Sequence, residues 1–207
     1  MKTLVETINQ LKNSEVKQLV DSRTEEFKKI RKNENNSLFK ELCFCLLTAN
    51  YSAEGGIKIQ KKIDNDFITL SEVDLRNELK FLGHRFYSAR AAYIVLARKH
   101  LEMLEMLTRT LGEQALRKWL VENVKGLGYK EASHFMRNIG YSDVAIIDFH
   151  IIDLLVKNKI IKSPKTLTSK KYLEIEALLR KIADKTNLNL AELDFYLWYM
   201  ETGKILK

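Results

Sequence analysis

Between Val121 and His150 the chain carries residues whose types and spacing could do chemistry together: Gly126 and Gly128, then Lys130, then Asp148. The turn Lys125-Gly126-Leu127-Gly128-Tyr129 offers two positions free to take positive φ, placed between two amphipathic segments. Two helices joined by a glycine hairpin are expected. In such a turn successive backbone N–H groups face outward at the start of the second helix, where the positive end of its dipole lies, so an anion can dock there. A nucleic-acid phosphate is the natural anion. The same glycines would also suit an ordinary helix corner, in which they only close a C-cap.

A lysine is a poor nucleophile at its free pKa of about 10.4, because nearly all of it is protonated near neutrality. It becomes useful when burial or nearby positive charge lowers that value, and Lys130 at a helix start sits where the dipole disfavours an extra cation. Asp148 ends the apolar run Val144-Ala145-Ile146-Ile147, which places its carboxylate in a partly dry setting and lets it cap the helix from Phe149 to Lys157. The plain readings of these residues are a solvated surface lysine and a simple N-cap.

The elements that must position them read as helices throughout. Residues 3 to 32 repeat apolar side chains at helical spacing, with a break near Asn13-Ser14, and Asn33 to Ser37 interrupts the pattern. Ser37 is expected to cap a buried helix running through Leu42 to Leu47 and ending at Thr48-Ala49-Asn50. Glu54 to Ile63 and a segment opened by Ser71 and closed by Gly83 follow. His84 to Ile94 interleaves cations with aromatics, a pattern suited to stacking combined with phosphate contact. Leu116 to Val124 and Lys130 to Ile139 flank the hairpin. Lys170 to Lys185 comes after a loop with Pro164, and an Asn189/Glu192 capping box opens a last helix with Phe195, Trp198 and Tyr199 as an aromatic stripe. No segment alternates as a strand and no repeat is visible, so the fold class is all-α.

A chain of 207 residues with 45% hydrophobic content can bury a substantial core. Its formal net charge of +8 favours a polyanionic partner. No run of about eighteen apolar residues occurs and no signal-peptide pattern opens the chain, so a cytoplasmic, nucleoid-associated protein with no membrane partner is expected. Cys43 and Cys45 lie two apart in one helical segment and point in different directions, as core thiols rather than a bridge. Two cysteines are also too few for an iron–sulfur cluster, which needs four thiolates. No cofactor and no metal are expected.

The segment Gly126-Leu127-Gly128-Tyr129-Lys130, followed after a helix by Ile146-Ile147-Asp148-Phe149-His150, resembles the helix-hairpin-helix DNA glycosylases of base-excision repair, in which a GxGxK hairpin and a later xxDxH carry a catalytic lysine and aspartate. It looks closest to the short archaeal type-2 8-oxoguanine DNA glycosylase/AP lyases, which also end in a lysine, here Lys207. The resemblance implies one glycosylase domain over 1–207. Its sublobes would be 52–148, a helical barrel holding the hairpin at 116–139, and 1–51 plus 149–207, with the active cleft between them. It implies Lys130 and Asp148 as catalytic residues, and Lys125, Gly126, Gly128, Asn50, Arg85 and His150 as DNA contacts. Asn50 matches an amide that enters the gap left by a flipped base; on its own it reads as a helix C-cap. Base recognition would fall to Lys207, Trp198, Phe86 and, more weakly, Asp194. The partner is double-stranded DNA with an oxidised base, bound by a monomer. A glycosylase for oxidised pyrimidines or mispaired thymine, and a noncatalytic DNA-binding module, are the alternatives.

Overall fold

The N-terminal periodicity resolves into two helices, α1 (Lys2–Lys12) and α2 (Val16–Ile30), parted at the expected Asn13-Ser14 break. The computed structural model describes residues 1–31 and 34–207, so Lys32, the end of the expected first helical stretch, and Asn33, the start of the expected interruption, lie outside the described residues. The next helix, α3 (Asn35–Thr48), begins before Ser37, and its N-cap position is Glu34 without a side-chain cap bond. This corrects the expected Ser37 cap. Asn35 is already pinned, accepting from the Glu105 amide at 2.8 Å and donating to the Glu102 carbonyl at 3.3 Å, which lets the helix start earlier.

Six helices follow: α4 (Ala53–Ile63), α5 (Asp66–Thr69), α6 (Glu72–Phe81), α7 (Tyr87–Ala97), α8 (Leu104–Thr110) and α9 (Glu113–Asn123), with a 3-10 stretch, Arg98–Met103, between α7 and α8. The hairpin leads into α10 (Tyr129–Asn138), and the chain closes with α11 (Phe149–Lys157), α12 (Ser169–Thr186) and α13 (Leu190–Thr202). Ser52, Ser71, Thr168 and Asn189 cap their helices as acceptors for an amide in the first turn, the Asn189/Glu192 box included. No strand occurs among the described residues; the fold is all-α.

Two compact units divide the chain, Lys29–Ile139 and Met1–Lys28 with Gly140–Lys207. In the first, α3 is buried nearly all round from Leu38 onward: Leu38, Phe39 and Leu42 through Leu47 are fully buried, and it packs against α4, α7, α8 and α10. Cys43 and Cys45 are free, buried thiols within it. Glu41 on α3 accepts from Gln60 of α4 at 3.1 Å and from Asn138 of α10 at 3.2 Å, a buried polar tie among three helices. Residues 29–51 therefore pack with the middle of the chain, and the division falls at 28/29 and 139/140 instead of the expected 51/52 and 148/149.

In the second unit α1 and α13 pack on α12, and α11 on α13. Residues 141–147 form no helix, yet Tyr141 and Val144 through Ile147 are buried, so their backbone needs partners. Helix α12 supplies them. Glu176 accepts from the Ala145 amide at 2.9 Å, while the Tyr172 hydroxyl donates to the Ala145 carbonyl at 2.6 Å and accepts from the Ile147 amide at 3.1 Å.

Candidate active site

The hairpin of the first unit is built around one glycine more than the other. Gly126 has φ +95°, and a Cβ there would lie 2.9 Å from Tyr93 Cε2, closer still to Cδ2, and 3.2 Å from Leu46 Cδ2. Backbone and ring approach too closely for any side chain. Gly128, by contrast, is extended at φ −95° and ψ −172° and serves as the N-cap of α10. Of the two positions free to take positive φ, only Gly126 does so. Arg117, 1% exposed, braces the pair of helices by donating from α9 to Ser133 of α10 at 3.2 Å, with its guanidinium 5.5 Å from the Tyr129 ring centroid.

Two of the hairpin amides are already engaged. Leu127 donates to the Val124 carbonyl at 3.2 Å, and Gly128 donates to the Glu131 carboxylate at 3.2 Å. Glu131 thus occupies the positive end of α10, where an anion is favoured. Lys130 lies in the first turn, its side chain 23% exposed and its Nζ 3.7 Å from the same carboxylate. Lys125 is exposed.

The end of α3 is held from outside the helix. Asn50 is exposed at φ +58°, and the carbonyls that the helix terminus leaves over are taken by side chains of the segment before and within α7. His84 bonds the Leu47 carbonyl at 3.0 Å, Arg90 the Ala49 carbonyl at 2.6 Å and Arg85 the Asn50 carbonyl at 2.9 Å. Phe86 is 37% exposed, with the Arg85 guanidinium 4.5 Å and that of Arg90 5.6 Å from its ring centroid. His84 and Arg90 were not singled out from the sequence. Their signal was there in the mixture of cations and aromatics from His84 to Ile94, but a contact to a helix end more than thirty residues away leaves no local trace.

In the second unit Asp148 caps α11, accepting from the Ile151 amide at 3.0 Å through Oδ1, and the residue is half-buried. Phe149 beside it is 67% exposed and its ring centroid lies 3.9 Å from that of His150. His150 in turn meets Trp198 edge-on at 5.0 Å. The structure therefore groups Asp148, His150 and Trp198 and adds Phe149, an exposed aromatic that the sequence reading passed over. Asp194, one turn before Trp198 on α13, lines an apolar crevice with Ala145, Ile146 and Ile151. Lys207 is half-buried at the end of the chain.

Charge is concentrated rather than spread. Residues 157–171 hold six lysines and no acidic residue, against a net +8 for the whole chain. Lys157 pairs with Glu201 at 3.3 Å and Lys171 with Glu174 at 2.9 Å, while Lys159, Lys162, Lys165 and Lys170 are exposed in or beside the loop. Among the described residues no group of three His, Cys, Asp or Glu side chains could hold a metal ion, and no helix is long and apolar enough to cross a membrane.

The all-helical fold with its glycine hairpin is that of the helix-hairpin-helix DNA glycosylases. A solved endonuclease III–DNA complex, 18% identical, superposes with a TM-score of 0.58 over 89% of this chain and 85% of that one, which shows shared fold alone. Closer likeness decides the family. The family model for 8-oxoguanine DNA glycosylase matches residues 20–188, and the chain belongs to that family. It is 54% identical over 205 residues to the 8-oxoguanine DNA glycosylase/AP lyase of Methanocaldococcus jannaschii, covering 99% of each chain. The crystal structure of the M. jannaschii enzyme with a 15mer DNA containing 8-oxoguanine superposes with a TM-score of 0.97 at 53% identity, over 99% of this chain and 100% of that one. The Thermotoga maritima 8-oxoguanine DNA glycosylase, 42% identical, gives 0.94 over 100% and 99%.

Proposed function

We propose that this chain excises 8-oxoguanine from double-stranded DNA and then nicks the strand 3′ to the lesion, with Lys130 as nucleophile. The observation that carries the reading is the placement of Lys130. Its amine stands partly exposed on the first turn of the helix that the hairpin delivers. The relatives at 42 to 54% identity are named for that activity.

The damaged nucleotide is extruded from the stack while hairpin residues Lys125, Gly126 and Gly128 meet a backbone phosphate, which takes the Gly128 amide in place of Glu131. The Lys130 amine attacks C1′; the bond to the base breaks and the base leaves with a proton. Asp148 stabilises positive charge developing on the sugar, using the carboxylate whose Oδ1 also caps α11. The C1′–O4′ bond then breaks, O4′ taking up a proton as the sugar ring opens, and a protonated Schiff base joins Lys130 Nζ to C1′. This acidifies C2′, and β-elimination then expels the 3′ phosphate. Asn50 fills the vacated space, Arg85 and His150 contact the DNA, and Trp198, Phe86, Lys207 and Asp194 are the residues proposed to read the lesion. The protein acts as a monomer at the nucleoid.

Borohydride reduction tests this directly. A duplex with 8-oxoguanine is expected to be trapped covalently by the wild-type protein and not by Lys130→Gln. Trapping and nicking by Lys130→Gln would remove the assignment. A parallel panel with oxidised pyrimidines and mispaired thymine decides the lesion.

A further inference from the structure

We infer that His84 is a positioning residue that locks the loop bearing Asn50 to the turn bearing Arg85 and Phe86, so that these DNA-facing groups act as one rigid body. The inference deepens the proposed reading of Asn50 and rests on it.

His84 is 2% exposed and uses both ring nitrogens. The Phe86 amide can only donate, so Nδ1 at 3.0 Å is the acceptor. Nε2 then carries the hydrogen and donates to the Leu47 carbonyl at 3.0 Å. Only the neutral Nε2–H tautomer satisfies both partners. A second proton on Nδ1 would set two N–H groups against each other. Burial, with smaller contributions from Arg90 and Arg85, holds the ring's pKa below its ordinary value and favours that form. Tyr51 covers the ring with centroids 4.2 Å apart and 32° between planes, and its hydroxyl donates to the Gly83 carbonyl at 3.3 Å. The charged and titratable groups acting on the ring are thus Arg85, Arg90 and Tyr51, none of them a carboxylate.

Four links join the two segments: Tyr51 to Gly83, Leu47 to His84, Asn50 to Arg85 and Ala49 to Arg90. Among them His84 alone grips the helix end with one atom and the amide of its own turn with another. Asn50 takes a left-handed φ just past the end of α3, a conformation open to asparagine there, and its carbonyl is held by Arg85. Its exposed side chain is therefore aimed by the backbone that His84 anchors.

The test is a double-mutant cycle of His84→Ala and Asn50→Ala, read as single-turnover excision of 8-oxoguanine and as affinity for an undamaged duplex. A group acting by positioning loses rate through misplacement of about an ångström, which can cost on the order of 100-fold. His84→Ala is expected to slow excision by about 10- to 100-fold while undamaged-duplex affinity stays within about threefold. Added to Asn50→Ala it should cost less than about threefold more, because coupled residues fail additivity. His84→Gln, which keeps a donor for Leu47, should recover part of the loss, and it replaces His84→Ala in the cycle if the alanine variant does not fold. Multiplying effects in the double variant, or wild-type excision by His84→Ala, overturns the inference. Wild-type excision by Asn50→Ala overturns the gap-filling role of Asn50 and this inference with it, a result distinct from additivity.

Discussion

Replacing Gly126 by alanine should damage the hairpin by two separable routes. The first is conformational: φ of +95° costs an L residue about 1–2 kcal/mol. The second is steric, since the new methyl would overlap the Tyr93 ring, 2.9 Å from Cε2 and nearer to Cδ2, with Leu46 Cδ2 at 3.2 Å behind it. Overpacking of this kind costs about 1–3 kcal/mol. Together they predict a loss of about 2–5 kcal/mol, which at about 2–4 °C per kcal/mol for a chain of this size lowers Tm by roughly 4–20 °C. Gly83→Ala is the matched control. Its φ is +81°, yet nothing lies within 4 Å of the added carbon, so only the conformational part remains. Thermal melts by circular dichroism, paired with duplex affinity, measure both. Gly126→Ala should fall well below Gly83→Ala in Tm and lose affinity for undamaged DNA as the hairpin is pushed away from Tyr93. Equal melting temperatures for the two variants would refute the close-approach reasoning, and unchanged affinity would refute the hairpin's part in holding phosphate.

Asp148→Asn keeps an acceptor for the Ile151 amide and removes only the charge, so it should melt near wild type while excision collapses; Asp148→Ala should add a stability loss of about 0.5–2 kcal/mol from the missing cap. Comparable Tm for the two variants would show that the cap contributes nothing. Changing Lys159, Lys162, Lys165 and Lys170 to Gln should flatten the dependence of log Kd on log salt by about 0.9 for each phosphate contact removed, and an unchanged slope would place this lysine cluster off the DNA. Burial lowers the pKa of His84 and of His100 in the fold. The unfolded chain then takes up protons first as pH falls through about 6.5, so stability declines from there toward the lower folded values. Melts between pH 7.5 and pH 5 should show that decline, shallower in His84→Gln; an identical slope in the variant would contradict it.

Much of the helical order could be read from the sequence because its signals are local. Apolar spacing marked the helices, and Ser71, Asp148 and Asn189 marked starts that the structure confirms as side-chain caps. What escaped the sequence depends on distant partners. Ser37 has the right type for a cap, but Asn35 is tied to Glu102 and Glu105, and the helix begins before Ser37 is reached. The unit boundary was misplaced because α3 is buried nearly all round, and such a helix does not show from its own pattern which neighbours surround it. Val144 to Ile147 looked like a buried approach to Asp148 and are one, but nothing in them reveals that Tyr172 and Glu176 would complete their backbone bonds. At the hairpin, glycine spacing located the turn; which glycine needs positive φ follows only from the nearness of Tyr93.

Cys43 and Cys45 lie fully buried in α3, and burial pushes the Cys43 thiol well above its ordinary range. Oxidants attack thiolates that solvent can reach, and solvent reaches neither Cys43 nor Cys45. A repair protein for oxidised guanine works under the same chemical stress that makes its substrate. With both sulfhydryls kept dry, this fold is expected to stay active in peroxide concentrations that would silence an enzyme relying on an accessible cysteine.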